Sequence, residues 1–232
     1  MTVSAAPPAP AVGLPAQAPS QRTRLDALDL MRGLVMVIMA LDHVRDFFHH
    51  DALIYDPTDL TQTTPAVFLT RWITHLCAPA FVFLAGMGAY LYGTRGRSRT
   101  EVARFLVTRG LWLVVVELTL VRFALFFNFD YNFMFLQVIW AIGWSMVLLA
   151  GLIFLPQRVL LVLAVLVIAG HNLLDGIGPA PFSSFADGAP PLTAGDWIWS
   201  VIHVPNPPII YPLVPWFAVM ALGYTLGAVA RM

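Results

Sequence analysis

His43, Asp46 and His75 are the residues on which this chain could run proton-transfer chemistry. His43 stands toward the end of an apolar run, LDLMRGLVMVIMALDHVRDFF, which also carries Arg32 and Gly33. An ionisable side chain within or at the rim of such a run is expensive to keep and marks a functional site. Residues three or four apart share a helix face, so Asp46 falls on the face of His43 and can set its tautomer and orientation, whereas Asp42 points away. An imidazole held by a carboxylate serves as general base or nucleophile. The alternative for Asp46 is an interfacial carboxylate paired with Arg45 or Arg122. His49, His50 and Asp51 follow at once. They could bind a metal, but no signature ligand spacing occurs elsewhere, so a solvated loop and no metal site are expected.

A second set of polar groups falls at the ends of other apolar runs: Glu117, Arg122, Gln137, His171 and Asn172, with Asn128 and Asp130 in the connection between the third and fourth runs. In hydrocarbon such groups must face one another or water. With His43, Asp42 and His75 they predict a polar pocket opening outward. The plainer alternative is that Glu117 pairs with Arg122 and that the histidines make hydrogen bonds between helices.

The elements that must position these residues are membrane helices. Hydrophobic residues make up 59% of the 232, charged residues 11%, and the mean hydropathy is +0.76, far from a soluble domain. Apolar stretches near the roughly 20 residues needed to span a bilayer occur at about Leu28–Phe47, Leu69–Tyr92, Phe105–Phe127, Leu136–Leu155, Val159–Leu174 and Ile209–Ala230. The fifth is short and the sixth contains Pro212 and Pro215. The sequence therefore predicts an all-α polytopic bundle of about six transmembrane helices over residues 22–232, after an Ala/Pro/Ser/Gln tail at 1–21 that reads as disordered. Arginines crowd the connection between the second and third runs, and aspartates crowd the alternate connections. The positive-inside rule then places both termini in the cytoplasm. Net charge is zero, so no basic field points to nucleic acid. The single cysteine, Cys77, excludes an intrachain disulfide. Trp197 and Trp199, among the prolines of the last outer loop, are expected to anchor a stiff segment at headgroup level or to form a lid over the pocket.

RLDALDLMRG followed by His43, together with LDHVRDFF, HLCAPAFVFLAG, RGLWLVVVELTLVRF, FNFDYNF, QVIWAIGWSM and AGHNLLDGI, resembles the heparan-α-glucosaminide N-acetyltransferase catalytic-domain family of bacterial membrane proteins. The resemblance runs from about Arg24 to Arg231. It implies an acyltransferase of the inner (plasma) membrane that moves an acetyl or other acyl group from cytoplasmic acyl-CoA to an outward-facing glycan or glycolipid, with acetyl-CoA as the donor. Members of the family are usually longer, so the chain reads as a shortened member; a homo-oligomer is compatible with it. The family's essential histidine maps onto His43, with His49 and His50 as alternatives.

Acyl transfer needs a base or nucleophile and donors for the developing oxyanion. His43 fills the first role and His75, Arg122 or Asn172 the second. Arg32, Arg95, Arg97 and Arg99 are the expected holders of the donor's phosphates, though topology alone also explains an arginine cluster there. Small residues such as Gly86 and Gly88 would permit close helix approach around a narrow channel. Two readings of other classes stay open. One is a membrane cytochrome, with haem iron between two of His43, His75 and His171. The other is a transporter or glycolipid-binding protein with a non-reactive pocket.

Overall fold

The computed structural model describes residues 20–50, 54–185, 188 and 191–229, with side chains from residue 27. The expected tail at 1–21 falls almost wholly outside the described residues, as does Asp51. The described chain is helical and has no β-strand: α1 Ser20–Phe48, α2 Pro65–Thr74, α3 Cys77–Gly93, α4 Arg99–Val116, α5 Arg122–Phe126, α6 Val138–Leu152, α7 Gln157–Gly170, α8 Ala194–Ile202 and α9 Trp216–Leu226. A π-helical segment, Glu117–Val121, joins α4 to α5.

Local chemistry explains the boundaries. Thr64 caps α2 by accepting from the Val67 amide, with Pro65 at its first position. Two residues after α3 begins, Pro79 lacks the N–H that would bond the His75 carbonyl, and the chain bends at His75–Leu76. Ser98 and Glu101 form a reciprocal capping box on α4, with the Ser98 amide 2.7 Å from Glu101 Oε2. Phe127, at φ 50°, ends α5 in the left-handed region.

The helices meet through glycines. Gly86 on α3 lies against the Met220 backbone of α9, and Gly223 of α9 lies against Phe83. Gly110 of α4 and Gly143 of α6 abut reciprocally. A Cβ at any of these would meet a neighbouring backbone carbonyl, so small residues let the axes close up, as in membrane bundles. Val82, Leu106, Leu149, Leu160 and Met220 fill the core between them.

The outside of the bundle is apolar. Leu30, Val37, Phe47, Trp112, Leu120 and Leu166 are exposed, and so are many residues like them. A contiguous surface of this kind belongs against hydrocarbon. Two helices are long and apolar enough to cross a membrane, Pro65–Gly93 taken through its bend and Gln157–Leu174, and α6 and α9 are shorter apolar helices.

One expectation needs correction. The sixth apolar run is helical only from Trp216, because Pro212 and Pro215 supply no backbone donor. Its first part is a loop pinned to Leu136, whose amide donates to the Pro208 carbonyl at 2.6 Å while its carbonyl accepts from Ile210 at 3.0 Å. The stiff segment expected around Trp197 and Trp199 is helix α8. Its N-terminus is set by a Thr193/Asp196 capping box, and Trp199 is turned inward, donating from Nε1 to the Ile177 carbonyl.

Candidate functional site

At the end of the bundle where α3 stops and α4 starts, a cleft of about 550 Å³ opens between α1, α3, α4 and α6. Arg32, Arg95 and Arg109 line it together with Tyr92, Phe105 and Gly88. Arg32 reaches across from α1 and donates from Nη2 to the Leu84 carbonyl at 3.2 Å. Gly88 makes this possible: a Cβ there would sit 2.6 Å from that nitrogen. Gly33, the neighbour of Arg32 in sequence, faces open space, so the glycine that serves Arg32 comes from α3. The other nitrogen, Nη1, meets only the exposed Asp29 at 3.2 Å. Arg95 and Arg109 are exposed and have no ion-pair partner among the described residues. Tyr92 and Phe105 stack with ring centroids 4.1 Å apart and give the cleft an aromatic wall.

The four arginines expected to act together are divided. Arg32 and Arg95 share this cleft, whereas Arg97 and Arg99 line a smaller one of about 240 Å³ with Tyr90, Gln157 and Tyr224. Arg97 lies 3.6 Å over the Tyr92 ring, and Arg99 donates to the Phe154 carbonyl at 3.2 Å. Arg109 takes the place they leave.

The opposite end is built from ion pairs and local hydrogen bonds. Asp42 ties α1 to α2: one oxygen accepts from Thr74 Oγ1 at 2.6 Å and pairs with Arg45 at 2.6 Å, and the other takes Arg71 at 2.9 Å. Arg45 also holds Asp46 at 2.7 Å. Asp46 is therefore engaged by its neighbour rather than orienting His43, because the guanidinium beside it is the stronger partner. His43 is exposed on α1, turned away from Asp42 as helix geometry requires. His75 sits at the C-terminus of α2, with Nδ1 2.8 Å from the Arg71 carbonyl. Beside it, Asp56 in the preceding loop is held below its ordinary value chiefly by the Thr58 hydroxyl and then by the Thr58 amide; Arg71 and His75 add smaller effects.

Glu117 and Arg122 do not pair. The π-helical segment keeps both buried, at 1% and 4% exposure. Glu117 Oε1 accepts from the Gln137 amide at 2.8 Å. Arg122 donates to Asn128 Oδ1 at 2.8 Å and to the Asn128 carbonyl at 3.2 Å, and it lies 4.5 Å over Phe126. Asn128 and Asp130 in turn fold their loop, accepting from the amides of Asp130 and Asn132. His171 Nδ1 is 2.8 Å from the Ile168 carbonyl, and Asn172 is exposed. The ring beside His171 is His203, 6.2 Å away, which is buried and bonded through Nε2 to Asp175 Oδ1 at 2.8 Å. These groups therefore form several separate local networks in place of one convergent pocket. Among the described residues, no group of three or more His, Cys, Asp or Glu side chains is arranged to hold a metal.

Arg71, Thr74 and His203 escaped the sequence reading. Arg71 and Thr74 look like ordinary residues of an apolar run, and only their three-residue spacing, which puts them on one helix face, hinted at a shared partner. His203 lies far in sequence from the Asp175 it meets.

Residues 24–232 match the family described as heparan-alpha-glucosaminide N-acetyltransferase, catalytic. The chain belongs to this family. That membership and the apolar helices make it a membrane protein of an acetyltransferase family whose donor is acetyl-CoA. No curated protein and no solved structure matches the chain.

Proposed function

We propose that the protein is an acyltransferase of a bacterial inner membrane, with about six transmembrane helices and both termini in the cytoplasm. In this reading it moves an acetyl or other acyl group from cytoplasmic acyl-CoA to an amine or hydroxyl of an outward-facing glycan or glycolipid. The observation that carries the reading is the cleft of Arg32, Arg95 and Arg109. Two guanidinium groups without carboxylate partners and a third paired with an exposed aspartate alone, set beside a stacked aromatic wall, fit a phosphate-bearing nucleotide. The positive-inside expectation places that end in the cytoplasm, where acyl-CoA is found.

Arg32 and His43 lie on one continuous helix, eleven residues or about 16 Å of rise apart. A donor whose phosphates rest on Arg32, Arg95 and Arg109 can therefore extend its arm along α1 toward His43. The imidazole takes the proton from the acceptor nitrogen or oxygen as that atom attacks the thioester carbonyl. The new C–N or C–O bond forms, the C–S bond breaks, and the coenzyme A thiolate leaves with the proton. Asp42 acts at a distance by locking α1 onto α2 and so setting where His43 stands. His49 and His50 are the alternative bases.

The test is transfer and hydrolysis of radiolabelled acetyl-CoA by the purified chain, beside His43→Ala and a His49→Ala/His50→Ala double variant. Turnover lost only in His43→Ala is expected. Turnover lost only in the double variant moves the base into the loop after α1. Absence of coenzyme A binding by folded wild type ends the proposal.

A further inference from the structure

The smaller cleft, of about 240 Å³, lies where α3 gives way to α4 and is bounded by the α6–α7 turn and by Tyr224 of α9. Its volume is below the roughly 300–1,000 Å³ typical of small-molecule sites, so it has room for a headgroup and not for a nucleotide. No carboxylate lines it. Arg97 and Arg99 do, both exposed, and neither has an ion-pair partner among the described residues. Arg97 rests on the Tyr92 ring, and Arg99 spends one nitrogen on the Phe154 carbonyl. Glu101, the acidic residue closest to them in sequence, is folded back on Ser98 in the capping box.

Further donors surround the same space. Tyr90 and Tyr224 line it edge to face, with ring centroids 5.5 Å apart, and neither hydroxyl has a hydrogen-bond partner among the described residues. The first turn of α7 begins at Gln157 on its wall, and no side chain caps that turn. Guanidinium groups, phenol hydroxyls and a helix N-terminus, with no acidic side chain among them, suit an oxyanion. The rim indicates its source. Phe154, Leu155 and Val159, in and beside the α6–α7 turn, expose their apolar side chains, as a surface against hydrocarbon does. Basic pockets between membrane helices at the cytoplasmic boundary are where anionic lipid heads bind.

We propose that this cleft holds the phosphodiester head of an anionic phospholipid, its oxygens accepting from Arg97, Arg99 and the Tyr90 and Tyr224 hydroxyls. The acyl chains lie outside, against Phe154, Leu155 and Val159. Arg97 also covers Tyr92, which stacks on Phe105 in the wall of the larger cleft, so an occupied site steadies that wall. The site is separate from the larger cleft and does not depend on the acyl-transfer reading.

Native mass spectrometry of the detergent-purified chain tests it with phosphatidylglycerol and diacylglycerol of the same chains, and with glycerol phosphate and coenzyme A as competitors. Wild type is expected to retain one phosphatidylglycerol in about tenfold preference to diacylglycerol, from two arginines at a membrane surface. An Arg97→Gln/Arg99→Gln double variant should erase that preference. A Tyr90→Phe/Tyr224→Phe double variant keeps every charge and should lower it about threefold. Arg104→Gln, which removes an exposed arginine of α4 outside the cleft, should leave it unchanged. A preference that survives in the arginine pair or the tyrosine pair overturns the proposal. So does an equal fall in Arg104→Gln, which would make the effect one of general surface charge. Displacement of the lipid by glycerol phosphate at equal concentration would make this a free-anion site, and displacement by coenzyme A would make it part of the donor cleft; either result overturns it.

Discussion

The two ends of the bundle use arginine in opposite ways. At the end where α2 begins, Arg45 and Arg71 share Asp42, and Arg122 is spent on Asn128 and an aromatic ring. At the other end, Arg95 and Arg109 stand in a cleft without an anionic partner and Arg32 has only an exposed one. A guanidinium whose hydrogen bonds are taken up within the fold is tied to that fold and has little left for a ligand. One left unmatched contributes little to the fold and keeps its electrostatic attraction for a phosphate. Mutations at the two ends should therefore separate cleanly into losses of stability and losses of binding.

Asp42→Ala should have the largest effect. It removes the carboxylate shared by Arg45, Arg71 and Thr74 at the α1–α2 contact and leaves Arg71 without its ion-pair partner, and a loss of about 3 kcal/mol is expected for a broken, largely buried pair, read as a lowered Tm in detergent. An unchanged Tm would erase the contrast between the ends. Next come Arg95→Ala and Arg109→Ala, each expected to weaken coenzyme A binding about fivefold, or about 1 kcal/mol, with no change in Tm. A drop in Tm without a change in Kd would return those arginines to a structural role. Gly88→Ala sharpens the point without altering any charge. The added methyl displaces Arg32 from its cradle and should raise the coenzyme A Kd about threefold, or about 0.6 kcal/mol.

The smallest effect is expected in the loop before α2. Asp56 titrates below its ordinary 3.8, chiefly because of the Thr58 hydroxyl. The stabilisation this gives is present above that value and is lost as pH falls through the lower folded value. Thr58→Ala should therefore lower Tm slightly at neutral pH, and the gap to wild type should narrow as acid protonates Asp56. A gap independent of pH would mean that the hydroxyl acts through packing alone.

The elements were legible from apolar runs, because that signal is local. The first five runs each contain a helix at about the expected place, although α4 starts at Arg99, ahead of the third run, because the Ser98/Glu101 box and not apolarity sets its N-terminus. The sixth was overextended, because its apolar character continued through prolines that cannot be helical there. α8 was hidden for the opposite reason: surrounding prolines masked the Thr193/Asp196 box. The site was legible in part. Arg32 and Arg95 do share a cleft, but Arg97 and Arg99 line another, where Arg99 bonds the Phe154 carbonyl across from α4. Asp46 was left with His43 or Arg45 as its neighbour, and the structure pairs it with Arg45, because a helix wheel gives direction and cannot rank an adjacent guanidinium against an imidazole.

By itself the sequence determined that this is an apolar helical protein, where its main helices run, and which family it joins, since hydropathy, caps and motif spacing are properties of neighbouring residues. Tertiary structure alone decided which charges meet. Gly88 frees space for Arg32 across some fifty residues of chain, Asp42 selects Arg71 and Thr74 from another helix, and Glu117 and Arg122, five residues apart on a π-helical turn, each find a partner other than one another. Pairing depends on distance and burial, and those exist only once the helices have packed.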